Sequence, residues 1–120
     1  MFVATDTRDW ARVVACFTPE VLFDMSSLSG QPAARTAASD IASGWETGLA
    51  GIDAIHHQAG NYLVTLESDT AATAFCYATA THYRKEEGIR AFVGSYDVHL
   101  TRAGDQWLID SFRFNVKYVA

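Results

Sequence analysis

The sequence is poor in cysteine and in positive charge, and each shortage excludes a class of protein. The 120 residues include only two cysteines. Cys16 and Cys76 lie far apart and in no metal-ligand spacing, so we expect two reduced thiols and no metal site, with a disulfide as the alternative. Nine basic residues against fourteen acidic ones give a net charge of -5. We therefore expect no binding to nucleic acid, because its phosphates attract clusters of lysine and arginine.

Long apolar runs and basic runs are also missing. No stretch approaches the roughly 18 apolar residues of a membrane-spanning helix, and no basic helix face is available for an anionic membrane surface. The N-terminal residues MFVATD have neither the basic start nor the apolar stretch of a signal peptide. The sequence therefore predicts a cytoplasmic protein without membrane contact.

Motifs of the common cofactor and nucleotide enzymes are absent. The chain has no G-x-S-x-G, no Walker loop, no G-x-G-x-x-G and no C-x-x-C. His56 and His57 do not belong to an H-E-x-x-H motif, and no third ligand follows at metal spacing. These gaps weigh against redox, phosphoryl-transfer and metallohydrolase chemistry, and we expect no cofactor.

The first half of the chain has the patterns of two helices. Hydrophobic residues make up 49% of the 120 residues, which fits one globular domain over residues 1–120. Asp9 can cap a helix that ends at Pro19, and a short strand over Val21–Phe23 and a loop follow. A second helix begins at Ser39. The apolar stripes of the two helices are Trp10, Val13, Val14 and Phe17, then Ile41, Trp45 and Leu49.

The second half has the patterns of four long strands joined by tight turns. Alternation and turn residues predict strands near Ile52–Glu67, Ala71–Lys85, Ile89–Arg102 and Gln106–Val119. Helices followed by antiparallel strands indicate an α+β fold. Strands of about fifteen residues exceed the usual five or six, so the sheet must bend, and a bent sheet can enclose a cavity against the helices.

One face of the strand over Ala71–Lys85 consists of small residues and ends in a histidine. Alternate side chains of a strand take opposite faces. One face consists of Ala72, Ala74, Cys76, Ala78, Ala80 and His82. The small side chains leave space either for a pocket or for a closely packed helix, and this strand alone does not decide between the two.

Few ionisable residues fall at apolar positions, and these are the candidates for chemistry. On an alternating strand only one of His56 and His57 can face inward. A histidine beside a carboxylate such as Asp6 is a common proton-transfer pair, because imidazole titrates near neutral pH and the carboxylate fixes its tautomer. The alternative for each histidine is a surface position or a hydrogen-bonded core position. We expect His99 to be solvated.

Several separated segments together resemble the SnoaL-like branch of the NTF2-like superfamily, in particular scytalone dehydratase and related dehydratases and dehydrochlorinases. The resemblance covers nearly the whole chain. It rests on Asp6-Thr-Arg-Asp9-Trp10, Phe17-Thr-Pro-Glu, Phe23-Asp24, His56-His57-Gln-Ala-Gly60-Asn61, Thr81-His82-Tyr83, Gly94-Ser-Tyr96 and Gly104-Asp-Gln-Trp107.

The resemblance implies a fold and a site. The fold is a cone-shaped, curved antiparallel sheet packed against N-terminal helices. Asp6, His57 and His82 share its pocket, with His57 as the base, Asp6 orienting a histidine, and His82 and Tyr96 donating to an oxygen. The long first helix of the family is almost absent, so we expect a shortened N-terminus. Residues expected to bind the substrate are Trp10, Phe23, Met25, Leu28, Trp45, Asn61 and Phe114.

These features predict a cofactor-independent lyase or isomerase, of dehydratase or polyketide cyclase type, for a small hydrophobic molecule. The alternatives are a non-catalytic binding or assembly module and a structural subunit like the small chain of ring-hydroxylating dioxygenases. Phe75 and Tyr77 lie opposite the alanine face, and Ile109 lies opposite Leu108, Phe112 and Phe114 by simple alternation. Because apolar groups occupy both faces of the sheet, we expect a homodimer that covers the convex face.

Overall fold

Four short helices lie in the N-terminal half of the chain. The computed structural model describes all 120 residues, and its helices are α1 (Phe2–Asp6), α2 (Trp10–Ala15), α3 (Ser26–Ser29) and α4 (Ala38–Gly48). As predicted, Asp9 caps α2, and its carboxylate accepts the backbone N–H of Arg12 at 3.2 Å. None of these helices is long and apolar enough to cross a membrane.

Six strands form one mixed sheet, which confirms the predicted α+β class. They are β1 (Phe17–Asp24), β2 (Ala34–Ala37), β3 (Ala54–Leu66), β4 (Ala71–Arg84), β5 (Gly88–Ala103) and β6 (Gln106–Val119). The order across the sheet is β2-β1-β6-β5-β4-β3. The four long strands pair antiparallel, as expected. Strand β1 pairs parallel to β6, and this places the N-terminal part of the chain beside its last strand.

The N-terminal half differs from the prediction in several places. Helices α1 and α3 were not predicted, and α3 lies in the segment that was expected to be a loop. Phe17, assigned by its spacing to the first helix, begins β1 and pairs with Ile109, because α2 ends at Ala15. Pro19 lies within β1, where the register with β6 shifts between Phe17 and Leu22, and such irregular positions tolerate the missing N–H of proline. Strand β2 was not predicted, since four residues are too few to show alternation.

The core lies between the helices and the concave face of the sheet. Phe112 is its centre, and its ring lies 5.1 to 6.2 Å from the rings of Phe17, Phe23, Trp45 and Tyr96. The predicted small-residue face of β4 points inward. Its buried members are Ala72, Cys76, Ala78 and Ala80.

Register shifts interrupt the alternation of the long strands at three places, one of them between Val93 and Gly94. The register of β5 and β6 shifts between His99 and Leu100, and Asp110 therefore has no paired residue on β5. Ile109 therefore packs against the core cluster that contains Phe112, and its predicted position on the opposite face was wrong. On β3 the register shifts between Gly60 and Leu63. A single unpaired residue reverses the faces of everything that follows it.

Candidate active site

A cavity of about 220 Å³ lies over the centre of the sheet. Helix α1 packs on β3 at one flank, α4 packs on β1 and β2 at the other, and the short helix α3 packs on β6. The cavity lies between these helices, over β4 and β5. The lining is mostly apolar, with a few polar groups. It consists of Met1, Phe2, Thr5, Met25, Leu28, Gly44, Trp45, Gly48, Leu49, His57, Ala80, His82, Phe92, Tyr96, Phe112 and Phe114. A concave apolar site with convergent polar groups is the usual form of a small-molecule site.

Asp6 and His57 form a closely held pair at this cavity. The Asp6 carboxylate accepts the backbone N–H of His57 at 2.8 Å through Oδ2, and its Oδ1 lies 2.5 Å from Nδ1 of the imidazole. The two side chains are only 16% and 11% exposed. Because an ionised carboxylate is only an acceptor, Nδ1 carries the proton when the ring is neutral. Nε2 is then the lone-pair nitrogen that can accept a proton.

The backbone of β3 decides which of the two neighbouring histidines joins the site. His57 pairs with Ala80 and His56 pairs with Thr81, so the two rings take opposite faces. His56 is exposed, whereas His57 lines the cavity. Asp6 is the last residue of α1, and the packing of α1 on β3 brings its carboxylate to His57.

Arg8 fixes the segment that carries Asp6 and was missed by the sequence analysis. Its backbone is left-handed, with φ of 59°. Its guanidinium donates to the carbonyl oxygen of Leu49 at 2.9 Å and to that of Ile52. These bonds join the turn after α1 to the end of α4 and the start of β3. The only available signal was a basic residue between two aspartates, which does not identify its partners.

His82 lies on the same face as His57, one diagonal step away. It pairs with Ile55, and His57 pairs with Ala80. Its ring is tilted against that of Phe92, with centroids 4.8 Å apart, and it makes no hydrogen bond to the protein. Burial lowers the pKa of His82, and the nearby His57 lowers it further. His82 is therefore neutral at pH 7, and its N–H is available to a ligand.

Tyr96 supplies a third polar group from β5. The residue is 7% exposed, it lines the cavity, and its hydroxyl has no hydrogen-bond partner in the protein. Burial raises the pKa of Tyr96 above its ordinary value, with smaller contributions from Cys76 and Asp6. The side chain is therefore a phenol and a hydrogen-bond donor at neutral pH.

Phe2 covers the Asp6–His57 pair and was not predicted as a site residue. Its ring stacks on the imidazole of His57, with centroids 5.2 Å apart and planes 19° apart. It also contacts the ring of Tyr96 at 5.1 Å. This contact shields the pair from water and restricts the imidazole plane. The sequence gives no hint of it, because an apolar residue near the N-terminus is ordinary.

The predicted wall residues divide into two groups. Those that line the cavity are Met25, Leu28, Trp45 and Phe114. Phe23 lies in the core instead, where its ring stacks on that of Phe112 at 5.7 Å, and Trp10 also packs against the core. Asn61 is exposed at the β3 bulge, with φ of 56°, because the bulge turns it away from the cavity. These three predicted positions were therefore misplaced.

No cluster of three or more His, Cys, Asp or Glu side chains has the arrangement needed to hold a metal ion. The acid–base groups that line the cavity are His57 of β3, His82 of β4 and Tyr96 of β5, and Asp6 of α1 contacts His57. Cys16 and Cys76 are both free thiols. The groups available for chemistry in the cavity are thus two imidazoles and one phenol, and one carboxylate acts on them through His57.

Comparison with known proteins identifies both a sequence family and a fold. Residues 1–113 match the sequence model of the SnoaL-like domain family. No curated protein matches the chain in sequence. The Kfla4162 protein of Kribbella flavida has a similar structure, with a TM-score of 0.93 and 21% identity over 99% of this chain and 84% of that protein.

Two further solved structures share the fold. A candidate scytalone dehydratase from Novosphingobium aromaticivorans has a TM-score of 0.83 and 17% identity over 99% of this chain and 78% of its own. The hexachlorocyclohexane dehydrochlorinase LinA-type3 of Novosphingobium barchaimii LL02 has a TM-score of 0.79 and 11% identity, over 99% of this chain and 80% of its own. At these identities the likeness concerns the fold, and it confirms the NTF2-like architecture expected from the sequence.

Proposed function

Because the chain belongs to the SnoaL-like domain family, we propose that it is a cofactor-independent acid–base enzyme, either a dehydratase-like lyase or an isomerase or cyclase. The observation that carries the proposal is the Asp6–His57 pair, held at 2.5 Å beside an apolar cavity. A carboxylate that fixes the tautomer of an imidazole and stabilises its charged form is the usual arrangement of a histidine general base.

The chemistry begins with a proton on a carbon next to a carbonyl. Nε2 of neutral His57 accepts this proton, and the C–H electron pair moves toward the carbonyl oxygen as an enolate forms. Asp6 stabilises the resulting imidazolium. The neutral imidazole of His82 and the phenol of Tyr96 donate hydrogen bonds to the oxygen that gains charge. A neutral imidazole is able to polarise a carbonyl in this way.

The enolate then has two outcomes, which separate the two reaction types. In a lyase, the electron pair forms a carbon–carbon double bond and expels a leaving group from the adjacent carbon, and a departing hydroxide takes the proton from His57 and leaves as water. In an isomerase, His57 returns the proton to another atom of the delocalised anion. In a cyclase, the carbanion attacks a carbonyl carbon, the C=O electron pair moves to the oxygen, and this alkoxide takes the proton from His57. Both outcomes return His57 to its neutral form.

The cavity wall favours a small, hydrophobic, aromatic or polyketide-like substrate. Its volume of about 220 Å³ lies below the range of drug-sized sites, and an apolar cavity of about 150 Å³ is known to hold one benzene ring. Two proteins of the same fold carry the names of elimination enzymes, a dehydratase and a dehydrochlorinase.

A cytoplasmic location is part of the proposal and fits the two free thiols.

A direct test uses 5-nitrobenzisoxazole as a carbon acid. A base removes the proton from C3, the N–O bond breaks, and the coloured product is 2-cyano-4-nitrophenolate. We expect His57→Ala to lower the rate by about 10²–10⁴-fold, the usual contribution of a positioned base. His56→Ala is the matched control, because His56 is the exposed neighbour on the same strand, and it should keep the wild-type rate.

The same assay separates the proposal from its rival. A His57→Ala protein with an unchanged rate and an unchanged melting temperature would reject His57 as the base. If the wild-type protein binds aromatic ketones but opens no benzisoxazole ring and exchanges no α-proton in D₂O, the chain is a binding module. The apolar cavity would serve that second function equally well.

A further inference from the structure

Two glycines of helix α4 lie on its cavity face. Gly44 and Gly48 are one helical turn apart, and both line the cavity together with Trp45 and Leu49. A Cβ atom added to either glycine would meet no atom within 4 Å. Neither glycine has the positive φ that would require it. Along one edge of the cavity, the backbone of α4 is therefore not covered by side chains at these two positions.

Nothing within the folded chain explains a glycine at position 44. Apart from proline, glycine is the least favourable residue inside a helix, because it loses the most backbone freedom on folding. Alanine would fit at Gly44 without contact and would favour the helix. Positions that contradict a local preference without a packing reason are expected at functional sites.

A separate observation points to a ligand in the same cavity. Tyr96 is only 7% exposed, it lines the same cavity as Gly44 and Gly48, and its hydroxyl has no partner in the protein. Every fully buried side-chain N or O atom has a hydrogen-bond partner, so the unpartnered Tyr96 oxygen opens into the cavity, where a ligand can bond to it. A molecule in the cavity that bonds to Tyr96 would also lie beside the backbone of α4 at Gly44 and Gly48.

We propose that Gly44 and Gly48 are specificity-determining positions that keep the cavity wide enough for a ring to lie against the backbone of α4. This inference rests on the proposed function, since it takes the cavity as the substrate site. Side chains at these two positions would narrow the cavity from the helix side. The size of the accepted ligand is then limited at α4, while the chemistry remains with Asp6, His57, His82 and Tyr96.

The test measures equilibrium binding of 2-naphthol, a flat neutral molecule with one hydroxyl, by its fluorescence. We expect Gly44→Phe to weaken binding by at least about tenfold, as occlusion of an apolar pocket does. Thr47→Phe is the matched control, because Thr47 is exposed on the same helix and does not line the cavity, and it should stay within about twofold of wild type. Gly44→Ala should raise the melting temperature by a few degrees.

Each outcome separates this inference from the proposed catalysis. Equal affinity of Gly44→Phe and wild type overturns the inference, as does equal weakening by Gly44→Phe and Thr47→Phe, or no binding by wild type at millimolar 2-naphthol. A fall in melting temperature for Gly44→Ala would show a structural reason for the glycine and also overturn it. If His57→Ala keeps both its 2-naphthol affinity and its ring-opening rate, only the proposed catalytic role fails.

Discussion

At the scale of single residues, the carboxylate of Asp6 has two tasks. One oxygen accepts the backbone N–H of His57 and the other contacts its ring nitrogen. The first bond fixes the distance between α1 and β3, and the second fixes the rotation of the imidazole. A histidine held in this way loses little further freedom when a substrate binds, which is the basis of catalysis by orientation.

We predict that Tyr96→Phe separates activity from stability. The hydroxyl has no partner in the protein, so its removal breaks no internal hydrogen bond and leaves no group unsatisfied. The melting temperature should remain equal or rise slightly. Benzisoxazole ring opening should fall by about 10²-fold, the usual effect of losing one donor to a developing oxyanion. A clear loss of stability in thermal unfolding would instead give the hydroxyl a structural role.

The site residues differ in how visible they are in the sequence. Asp6, His57 and His82 were found from strand alternation and family resemblance, because ionisable groups at inward positions are rare. Phe2 and Arg8 were not found, since stacking on an imidazole and bonding to distant carbonyls depend on tertiary contacts. Asn61 was misplaced because the bulge beside it cannot be read from alternation.

At the scale of elements, the β5–β6 bulge creates an ion-pair cluster on the outer face. It brings Asp110 to His99, whose Nδ1 lies 2.7 Å from Oδ1 of that carboxylate. Nε2 of the same ring lies 3.5 Å from Glu67, just beyond β3. His99, predicted to be solvated, is in fact only one-third exposed. One imidazole thus connects three separate parts of the sheet.

We predict that this cluster stabilises the protein in acid and not in base. The hydrogen bond to Asp110 raises the pKa of His99, and the charges of Asp110 and Glu67 act in the same direction. A raised native pKa means that the stabilisation is complete below the unfolded value of about 6.5 and is lost as the pH rises through the native value. The melting temperature of wild type should therefore exceed that of His99→Gln below about pH 6.5.

The difference in melting temperature between wild type and His99→Gln should then shrink toward zero at alkaline pH. Thermal unfolding followed by circular dichroism from pH 5 to 9 measures it. Asp110→Asn removes the first partner of the imidazolium and should give the same trend. A difference that does not change with pH would show that His99 acts through packing instead of charge.

Elements with a clear period were predicted well, and short or irregular ones were not. The observed β6, Gln106–Val119, has the predicted bounds, because its ends are marked by a tight turn and by the end of alternation. Strand β2 has only four residues, and its existence depends on pairing with β1. The parallel pairing of β1 with β6 likewise joins segments that are far apart in the chain, so no local sequence pattern predicts it.

At the scale of the whole molecule, the outer face of the sheet carries several exposed apolar residues. The helices all pack on the other side. Tyr77 of β4 is 52% exposed and Leu63 of β3 is 68% exposed, and Phe75 lies between them, 5.6 Å from the ring of Tyr77. Beside them, Asp97 and Arg113 form an ion pair at 3.2 Å, so the face carries both signs of charge.

We propose that a second copy of the chain covers this face. In a two-fold dimer the same surface patch of both copies meets, so a patch that carries both signs of charge around an apolar centre can be complementary to itself. Large exposed apolar patches are also unusual on monomers. Light scattering at micromolar concentration should give twice the chain mass of 13.1 kDa. A monomer mass for the wild-type protein would reject the dimer.

A pair of variants of β4 locates the proposed contact. Tyr77→Glu places a charge in the centre of the outer face and should give a monomer. Tyr83→Glu is the control, because Tyr83 has the same outward parity and is 41% exposed but lies near the end of the strand. If Tyr77→Glu remains a dimer, the copies associate through another surface.

The parallel pairing of β1 with β6 also has a consequence for the order in which the chain folds. Strands β3 to β6 follow one another through short turns, so they form by closing small loops, whereas the bond from Thr18 to Ile109 spans 91 residues and that from Asp6 to His57 spans 51. Long closures are slower and cost more entropy. The N-terminal segment therefore joins a sheet that is already formed, and it is the first part to detach. Because that segment carries Asp6 and Phe2, we predict that the proposed activity is lost on mild heating before the sheet itself unfolds.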